Sequence, residues 1–513
     1  MSTAEMNLAS GIREFALSSP SAIAVSDGDR RLSFAEVDER SSRLACVLLE
    51  RGLSVGDRIG VLCRNRLEYV EIAAGAAKCG VTMVPLNPRG TATEHAALLG
   101  HSAARGLLFD DALADAVPDA AQGLDILLEL GDGSSVPSYE EALAAARATD
   151  PRARYSEMLP YAVQYTSGTT GAPKGALLSH RSRVLTLFGC AVDFGLGPGR
   201  RTAAVAPMAL GAGFAFGYGG AYMGGLTAMM RQWDPEELLA TIARERLHTV
   251  FLVPTHALGL QQVMADSPRR YDLSSLEVLY FNAAALPVPL KRWVVEAFPG
   301  VAVHEIYGST EGSVVTNLRP PDELRKAGSV GHPWFLTEVA LLDDDRQPVP
   351  CGVPGELFSR SPYVMNGYLD DPAATADAIT EDGFLTAGDV AVQDEEGFLT
   401  IVDRKKDLII SGGANIYPRE VENALLAFDE VGQVAVVGLP DPRWGERVAA
   451  FVVPRRGRSV DLASLEARLR GAVAGYKLPK QWQLLEELPH NSNGKMLKRI
   501  LRDQHAGEAS SGV

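Results

Sequence analysis

Between Tyr165 and Gly175 the chain reads YTSGTTGAPKG, a run of hydroxyl side chains and glycines closed by one lysine. Glycines let backbone N–H groups converge on one point. Thr166, Ser167, Thr169 and Thr170 add hydroxyl donors around Gly168 and Gly171, and Lys174 adds a full positive charge. Such a composition suits an anion, with phosphate the first candidate. The pattern G-x-x-x-x-G-K-[ST] is not met, because the four residues after Gly168 lead to Pro173, Lys174 and Gly175. Taken alone, the stretch reads equally as a polar surface turn. Further groups able to do chemistry are the Thr310–Glu311 pair in YGSTEG, Asp389 in TAGD, Arg404 in VDRKK and Lys495 in NSNGK. In isolation each of these is a turn, a solvated charge run or a solvent lysine.

The elements that must position these groups alternate in type. RLSFAEVDERSSRLACVLLERG repeats apolar residues at helical spacing behind Ser33, a candidate cap. RIGVLC then reads as a strand, YVEIAAGAAKCG as a helix ending near Gly80, and VTMVPLNP as a short apolar strand. This alternation predicts an α/β fold with a parallel or mixed sheet. The stretch 110–154, rich in Ala and Asp, is expected to form peripheral helices and loops before YAVQYTSGTTG returns as a strand. HTVFLVPT, LEVLYFNAAALP and VAVHEIYGSTEG each join an apolar run to a turn, and in open α/β sheets such strand ends line the ligand crevice. From about residue 355, short alternating runs with many glycines predict antiparallel β-structure, and a boundary is expected after Asp403. The remainder suits a small α+β domain.

Composition narrows the function classes. A chain of 513 residues, 46% hydrophobic and 22% charged, is ordinary globular material for two or three domains. A net charge of −15 disfavours nucleic acid and anionic lipid as partners. The five cysteines, Cys46, Cys63, Cys79, Cys190 and Cys351, form no C-x-x-C pair, which indicates neither a disulfide framework nor a zinc site. No apolar run nears the about 20 residues of a spanning helix, and no basic start precedes an apolar stretch, so a cytoplasmic location is expected.

Taken in order, YTSGTTGAPKG, YGSTEG, TAGDVAVQDEEGFLTIVDRKKDLIISGGANIYPREVE and NSNGKMLKR resemble the motifs of the adenylate-forming superfamily of acyl-CoA synthetases, carrier-protein adenylation domains and luciferases. The resemblance spans nearly the whole chain and is most like an acyl-CoA synthetase. It implies a large N-terminal domain of α/β subdomains with a β-rich subdomain (residues 1–403), a hinge at 404–406, a small mobile α+β domain at 407–504, and a disordered tail at 505–513. It implies that Thr166, Ser167, Gly168, Thr169, Thr170, Gly171 and Lys174 wrap the β- and γ-phosphates of ATP. Glu311 would ligate Mg2+ with help from Thr170 or Thr169, and Thr310 would hydrogen-bond the α-phosphate. Tyr307 would lie near the adenine, within a nucleotide-binding set that includes Ala283, Ala284, Ala285, Glu305 and Gly308. Asp389 would grip both ribose hydroxyls with Arg404 assisting, Lys406 would serve as the hinge, and Lys495 would meet the substrate carboxylate and α-phosphate. Gly412 and Gly413 would line a pantetheine tunnel. The implied catalytic set is therefore Lys495, Thr310, Glu311 and Lys174.

The chain departs from the family pattern at its acid pocket. In VAPMALGAGFAFG, Leu210 stands where acyl-CoA synthetases often carry a histidine, and no aspartate is present to meet an α-amino group. The usual Gly-Gly-Ala reads Ala283, Ala284, Ala285 after Asn282, which adds methyl groups to a pocket wall. Leu210, Gly211, Phe214, Thr255, His256, Asn282 and Gly308 are the implied pocket residues, although lone histidines such as His256 and His304 are more often structural. The expected activity is an ATP- and Mg2+-dependent acid:CoA ligase for an apolar or aromatic carboxylic acid, acting as a monomer or homodimer. Delivery to a carrier protein or an amine, activation of nitrite for attack by an aryl amine, and a non-catalytic nucleotide sensor are the alternatives.

Overall fold

Ser33 opens the helix Phe34–Glu50 with a closed capping box: its hydroxyl accepts from the Glu36 N–H, and the Glu36 carboxylate accepts from the Ser33 N–H. The helix Glu68–Cys79 ends on Gly80 at φ +75°, a left-handed conformation that glycine adopts without strain. These local signals act as the sequence predicts. The computed structural model describes residues 6–131, 136–166, 173–266, 271–490 and 496–505.

Backbone contacts divide the chain into two compact units, one of residues 1–339 with 359–387 and one of 340–358 with 388–513. The first holds two sheets. The six-stranded sheet runs Ile126–Leu130, Gly106–Asp110, Arg58–Leu62, Thr82–Leu86, Pro160–Thr166, Lys174–Ser179, all parallel except the last pair. Ile126–Leu130 lies in the stretch expected to hold only helices and loops. Its five-residue run ILLEL buries against Gly106–Asp110, and that pairing partner, invisible in local composition, decides its state.

The nine-stranded sheet has the order His332–Pro333, Ser313–Leu318, Ala302–Ser309, Val278–Phe281, Thr249–Leu252, Arg201–Ala204, Leu226–Met229, Ile23–Asp27, Arg30–Ser33. Its six central strands are parallel and its edges antiparallel. The carboxyl ends of Arg201–Ala204, Val278–Phe281 and Ala302–Ser309 each run into a loop or turn that leads to a candidate residue, Thr249–Leu252 leads into the helix Pro254–Asp266 that carries His256, and Pro160–Thr166 ends on the candidate Thr166.

Leu385–Gln393 and Leu399–Arg404 close a four-stranded sheet as an antiparallel pair. The long hairpin Val431–Asp441 and Gly445–Pro454 buries both faces. Val434, Val436, Val448 and Val452 pack on Val421, Leu425, Leu465 and Leu469, whereas Val437, Leu439 and Phe451 pack on Leu488 and Leu501. The turn Gly412–Gly413 joins paired Ser411 and Ala414 with φ +59° and +80°, a two-residue turn that needs positive φ at both positions.

Candidate active site

Thr166 and Lys174 are register partners in the antiparallel pair Pro160–Thr166 and Lys174–Ser179, the pair next to the segment that connects the two strands. The intervening candidates Ser167, Gly168, Thr169, Thr170 and Gly171 lie outside the described residues, as does Lys495. Glu311 comes to the same place from far along the chain. It sits in the turn joining Ala302–Ser309 to Ser313–Leu318, which the Ser309 hydroxyl tightens by accepting from the Gly312 N–H at 2.8 Å. Glu311 Oε1 accepts from the Thr166 hydroxyl at 3.4 Å and from the Tyr368 hydroxyl at 2.9 Å. Lys174 Nζ lies over the Tyr368 ring, 5.0 Å from its centroid. Burial, and then the Glu311 charge, push the Tyr368 phenol above its ordinary value. Tyr368 is absent from the candidates drawn from the sequence; its signal, an aromatic in VMNGYLDD, carries no spacing that ties it to Glu311.

Gly308 packs against the neighbouring strand and Thr310 meets a helix start. A Cβ on Gly308 would lie 1.9 Å from the Ser313 carbonyl oxygen, so the turn excludes any side chain there. A Cβ on Gly211 would lie 3.9 Å from Thr310 Oγ1, which puts that hydroxyl beside the first turn of the helix Gly211–Tyr222. Leu210 is the N-cap and makes no side-chain cap hydrogen bond. The segment leading to Leu210 is clamped from below. Asn65 donates to the Ala204 and Ala206 carbonyls at 2.8 and 3.0 Å and accepts from the Met208 N–H at 2.8 Å, while Gln164 donates to the Ala209 carbonyl at 3.0 Å. Both amides are buried, and neither is singled out by the sequence. Phe214 is 2% exposed and stacks on Tyr161 and Tyr218.

Ala283, Ala284 and Ala285 are exposed beyond the strand Val278–Phe281. Ala283 takes φ +76°, a left-handed conformation in which an L side chain is strained, and its N–H donates to the Asn282 carboxamide oxygen. Glu305 anchors this wall, because its Oε1 accepts from the Leu286 N–H at 3.0 Å. Its Oε2 faces Lys291 Nζ at 2.6 Å, and Lys291 also faces Glu323 at 3.5 Å. All three side chains are buried, and burial in the main lifts the Glu323 carboxyl to about 8. Glu305 therefore supports the wall from behind through its backbone anchor. Tyr307 is half-buried on the same strand as Glu305.

His256 stacks on Trp233 at 4.1 Å between ring centroids, and its Nδ1 accepts from the Val253 N–H at 3.3 Å. Burial, helped by the Arg89 charge, lowers it to about 4. His304 is held by Asn317 and pushed down by burial. Both rings are neutral at pH 7, as structural histidines are.

In the second unit, Asp389 and Arg404 are register partners on adjacent strands, with Arg404 Nε 2.9 Å from Asp389 Oδ1. Asp389 is 5% exposed, a buried carboxylate able to accept two hydroxyl donors. Asp403 fixes the strand end by accepting from the Arg404 and Arg419 N–H groups at 2.7 and 2.9 Å. Lys406 follows in a single 3-10 turn, Lys405–Asp407, its ammonium pushed down by burial and then by Arg404. Gly412 donates its N–H to the Trp444 carbonyl at 2.8 Å.

The site therefore gathers Thr166, Lys174 and Glu311 around Tyr368, and pairs Asp389 with Arg404. The sequence profile of the AMP-binding enzyme family matches residues 12–369, and that of the AMP-binding enzyme C-terminal domain matches 420–495. The chain belongs to the AMP-binding enzyme family. A feruloyl-CoA synthase from Amycolatopsis sp is 36% identical to this AMP-binding enzyme over 488 residues, 94% of this chain and 96% of that one. The structure of o-succinylbenzoate CoA synthetase from Bacillus subtilis, in complex with an acyl-adenylate intermediate, superposes with a TM-score of 0.87 at 27% identity and 100% coverage of both chains. That of an amide bond synthetase from Marinactinospora thermotolerans superposes with a TM-score of 0.87 at 28% identity, covering 97% of this chain and 99% of that one. This AMP-binding enzyme is an acyl-CoA-synthetase-like member of the adenylate-forming superfamily, an AMP-forming acid–thiol ligase. Among its described residues no helix is long and apolar enough to cross a membrane.

Proposed function

We propose that this AMP-binding enzyme adenylates an apolar or aromatic carboxylic acid with ATP and Mg2+ and passes the acyl group to CoA. The observation that carries the reading is the convergence of Thr166, Lys174 and Glu311, with 145 positions separating Thr166 from Glu311. Cation, hydroxyl and carboxylate at one glycine-rich loop are what transfer of a nucleotidyl group requires. A carboxylate oxygen of the acid attacks the α-phosphorus of ATP, the bond to the bridging oxygen breaks, and pyrophosphate leaves. Lys174 offsets charge on the departing phosphates, and Thr310 and Lys495 act at the α-phosphate. Asp389 and Arg404 hold the ribose, and the wall Asn282–Ala285 with Tyr307 holds the adenine. The CoA sulfur then attacks the acyl carbonyl, the acyl–oxygen bond breaks, AMP leaves with the electron pair, and the thiol proton passes to solvent.

The residues present fit Mg2+. Glu311 offers a hard carboxylate whose hydrogen bonds, among the described residues, both fall on Oε1. Mg2+ at a nucleotide takes one or two protein carboxylates and fills its remaining positions with phosphate oxygens and water. When bound, the ion neutralises charge developing on the phosphates. Thr170 or Thr169 is the second proposed protein ligand.

The acid class follows from what its pocket lacks. His256 and His304 are neutral and engaged, Leu210 is apolar, and feruloyl-CoA synthase and indoleacetate–CoA ligase are among the relatives. We take residues 404–406 as a hinge that lets residues 407–504 serve both half-reactions, Gly412 and Gly413 as part of the pantetheine tunnel, and the cytoplasm as the source of ATP and CoA. One observation favours a second acceptor: the likeness to an amide bond synthetase, together with Leu210 in place of a histidine, supports delivery to an amine. Mass spectrometry of reactions with ATP, Mg2+ and a carboxylic acid pool, with and without CoA, tests the reading. Acyl-CoA is the expected product. Acyl-AMP that persists beside CoA points to an amine or carrier-protein thiol, and a diazo product with nitrite and an aryl amine overturns the acid.

A further inference from the structure

Residues 365–369 are stitched between the two halves of the phosphate site. The Met365 N–H donates to the Glu311 carbonyl at 2.8 Å, which ties the segment to the carboxylate's turn. The Asn366 and Leu369 N–H groups donate to the Leu177 and Gly175 carbonyls at 2.8 Å, and the Leu177 N–H donates to the Gly367 carbonyl at 2.9 Å. These bonds tie the same segment to the strand that begins at Lys174. A third anchor comes from the helix Pro372–Ala378, whose Thr375 hydroxyl accepts from the Tyr368 N–H at 2.9 Å. The backbone of Tyr368 is therefore fixed against both the cation and the carboxylate of the site.

Its side chain uses both of its chemistries there. The hydroxyl donates to Glu311 Oε1 at 2.9 Å, and the ring receives the Lys174 ammonium at 5.0 Å from its centroid. One side chain thus holds both the lysine and the carboxylate of the site, the first on its ring and the second on its hydroxyl. Without a side chain that engages both, a lysine and a glutamate sharing one neighbour would be free to pair, and that pair would have to break before phosphate and metal could take their places. With the ring present, Lys174 keeps its charge for phosphate, and Glu311 has one oxygen fixed by hydroxyls while Oε2 is left for the ion.

We propose that Tyr368 is a positioning residue that presets Glu311 for its metal ion and holds Lys174 apart from it. The inference rests on Glu311 being the metal ligand proposed above. It adds that metal affinity depends on a hydroxyl that touches neither metal nor nucleotide.

The test is Y368F, read by electron paramagnetic resonance with Mn2+ as the probe and a non-hydrolysable ATP analogue present. The lost hydrogen bond to a carboxylate should weaken Mn2+ binding about tenfold. Binding of the analogue without metal and the unfolding temperature should stay at wild-type values. The KM for ATP at limiting Mg2+ should rise while kcat at saturating Mg2+ is retained. Y368L, which removes the ring as well, should also weaken metal-free analogue binding, because Lys174 is then free to pair with Glu311. In an E311Q background Y368F should cause no further loss of Mn2+ affinity. Wild-type Mn2+ affinity in Y368F, or a loss that persists in the E311Q background, overturns the inference while leaving the role of Glu311 intact. Wild-type Mn2+ affinity in E311Q itself overturns both.

Discussion

Glu323 should make the stability of this enzyme fall with rising pH, and Glu323→Gln should remove that fall. The side chain is 2% exposed and faces two groups: Lys291, 3.5 Å away on the helix Val288–Ala297, and Glu305 on the strand Ala302–Ser309. Burial is the chief reason its carboxyl rises from the ordinary 4.5 to about 8; Lys291 pulls it back and Glu305 adds to the rise. The folded state thus holds this proton more tightly than the unfolded chain does. The stability it contributes is complete below pH 4.5 and is lost as the pH climbs towards 8. At about 1.4 kcal/mol per tenfold, the loss reaches about 3 kcal/mol at pH 7 and at most about 5 kcal/mol at alkaline pH. A glutamine carries no titrating proton and keeps the shape, and it leaves the Lys291–Glu305 pair in place. Urea unfolding followed by tryptophan fluorescence should give E323Q and the wild type within about 1 kcal/mol at pH 5, and E323Q about 3 kcal/mol more stable at pH 7. Equal differences at the two pH values would refute the reasoning, because the gap must grow as the wild-type proton is lost.

Three further outcomes are expected. Ala283→Gly relieves a left-handed φ of +76° and should raise the unfolding temperature by the equivalent of about 1 kcal/mol; a lower temperature would contradict the strain. Asn65→Ala removes three hydrogen bonds to the buried segment before Leu210. It should cost about 2–3 kcal/mol in urea unfolding and raise the KM for the acid more than that for ATP, whereas unchanged KM values would separate Asn65 from the pocket. Lys495→Ala should lower adenylate formation by about a hundredfold or more with an unaltered unfolding curve, and wild-type adenylation would remove its assigned role.

What the sequence discloses is what lies close together along it. The capped helix from Phe34, the glycine-terminated helix at Gly80 and the strand into Thr166 depend on local spacing and are readable residue by residue. The ordered motifs that bear Glu311, Asp389 and Arg404 are equally local, and the fold brings Asp389 onto Arg404 and Glu311 onto Thr166. Tyr368, Asn65 and Gln164 are legible only in three dimensions, because each matters through a partner more than 40 positions away. Lys291 reads as an ordinary helical lysine until Glu305 and Glu323 surround it. The strand Ile126–Leu130 is lost for the same reason, since its state is set by a neighbour in the sheet.

The central claim is that this site activates a carboxylate by adenylation, and acid-dependent exchange of labelled pyrophosphate into ATP tests it most directly. Exchange is expected with Mg2+ and an aromatic or apolar acid, none without the acid, and no requirement for CoA. Exchange supported by nitrite while every carboxylic acid fails, or exchange that proceeds equally without any acid, would contradict it.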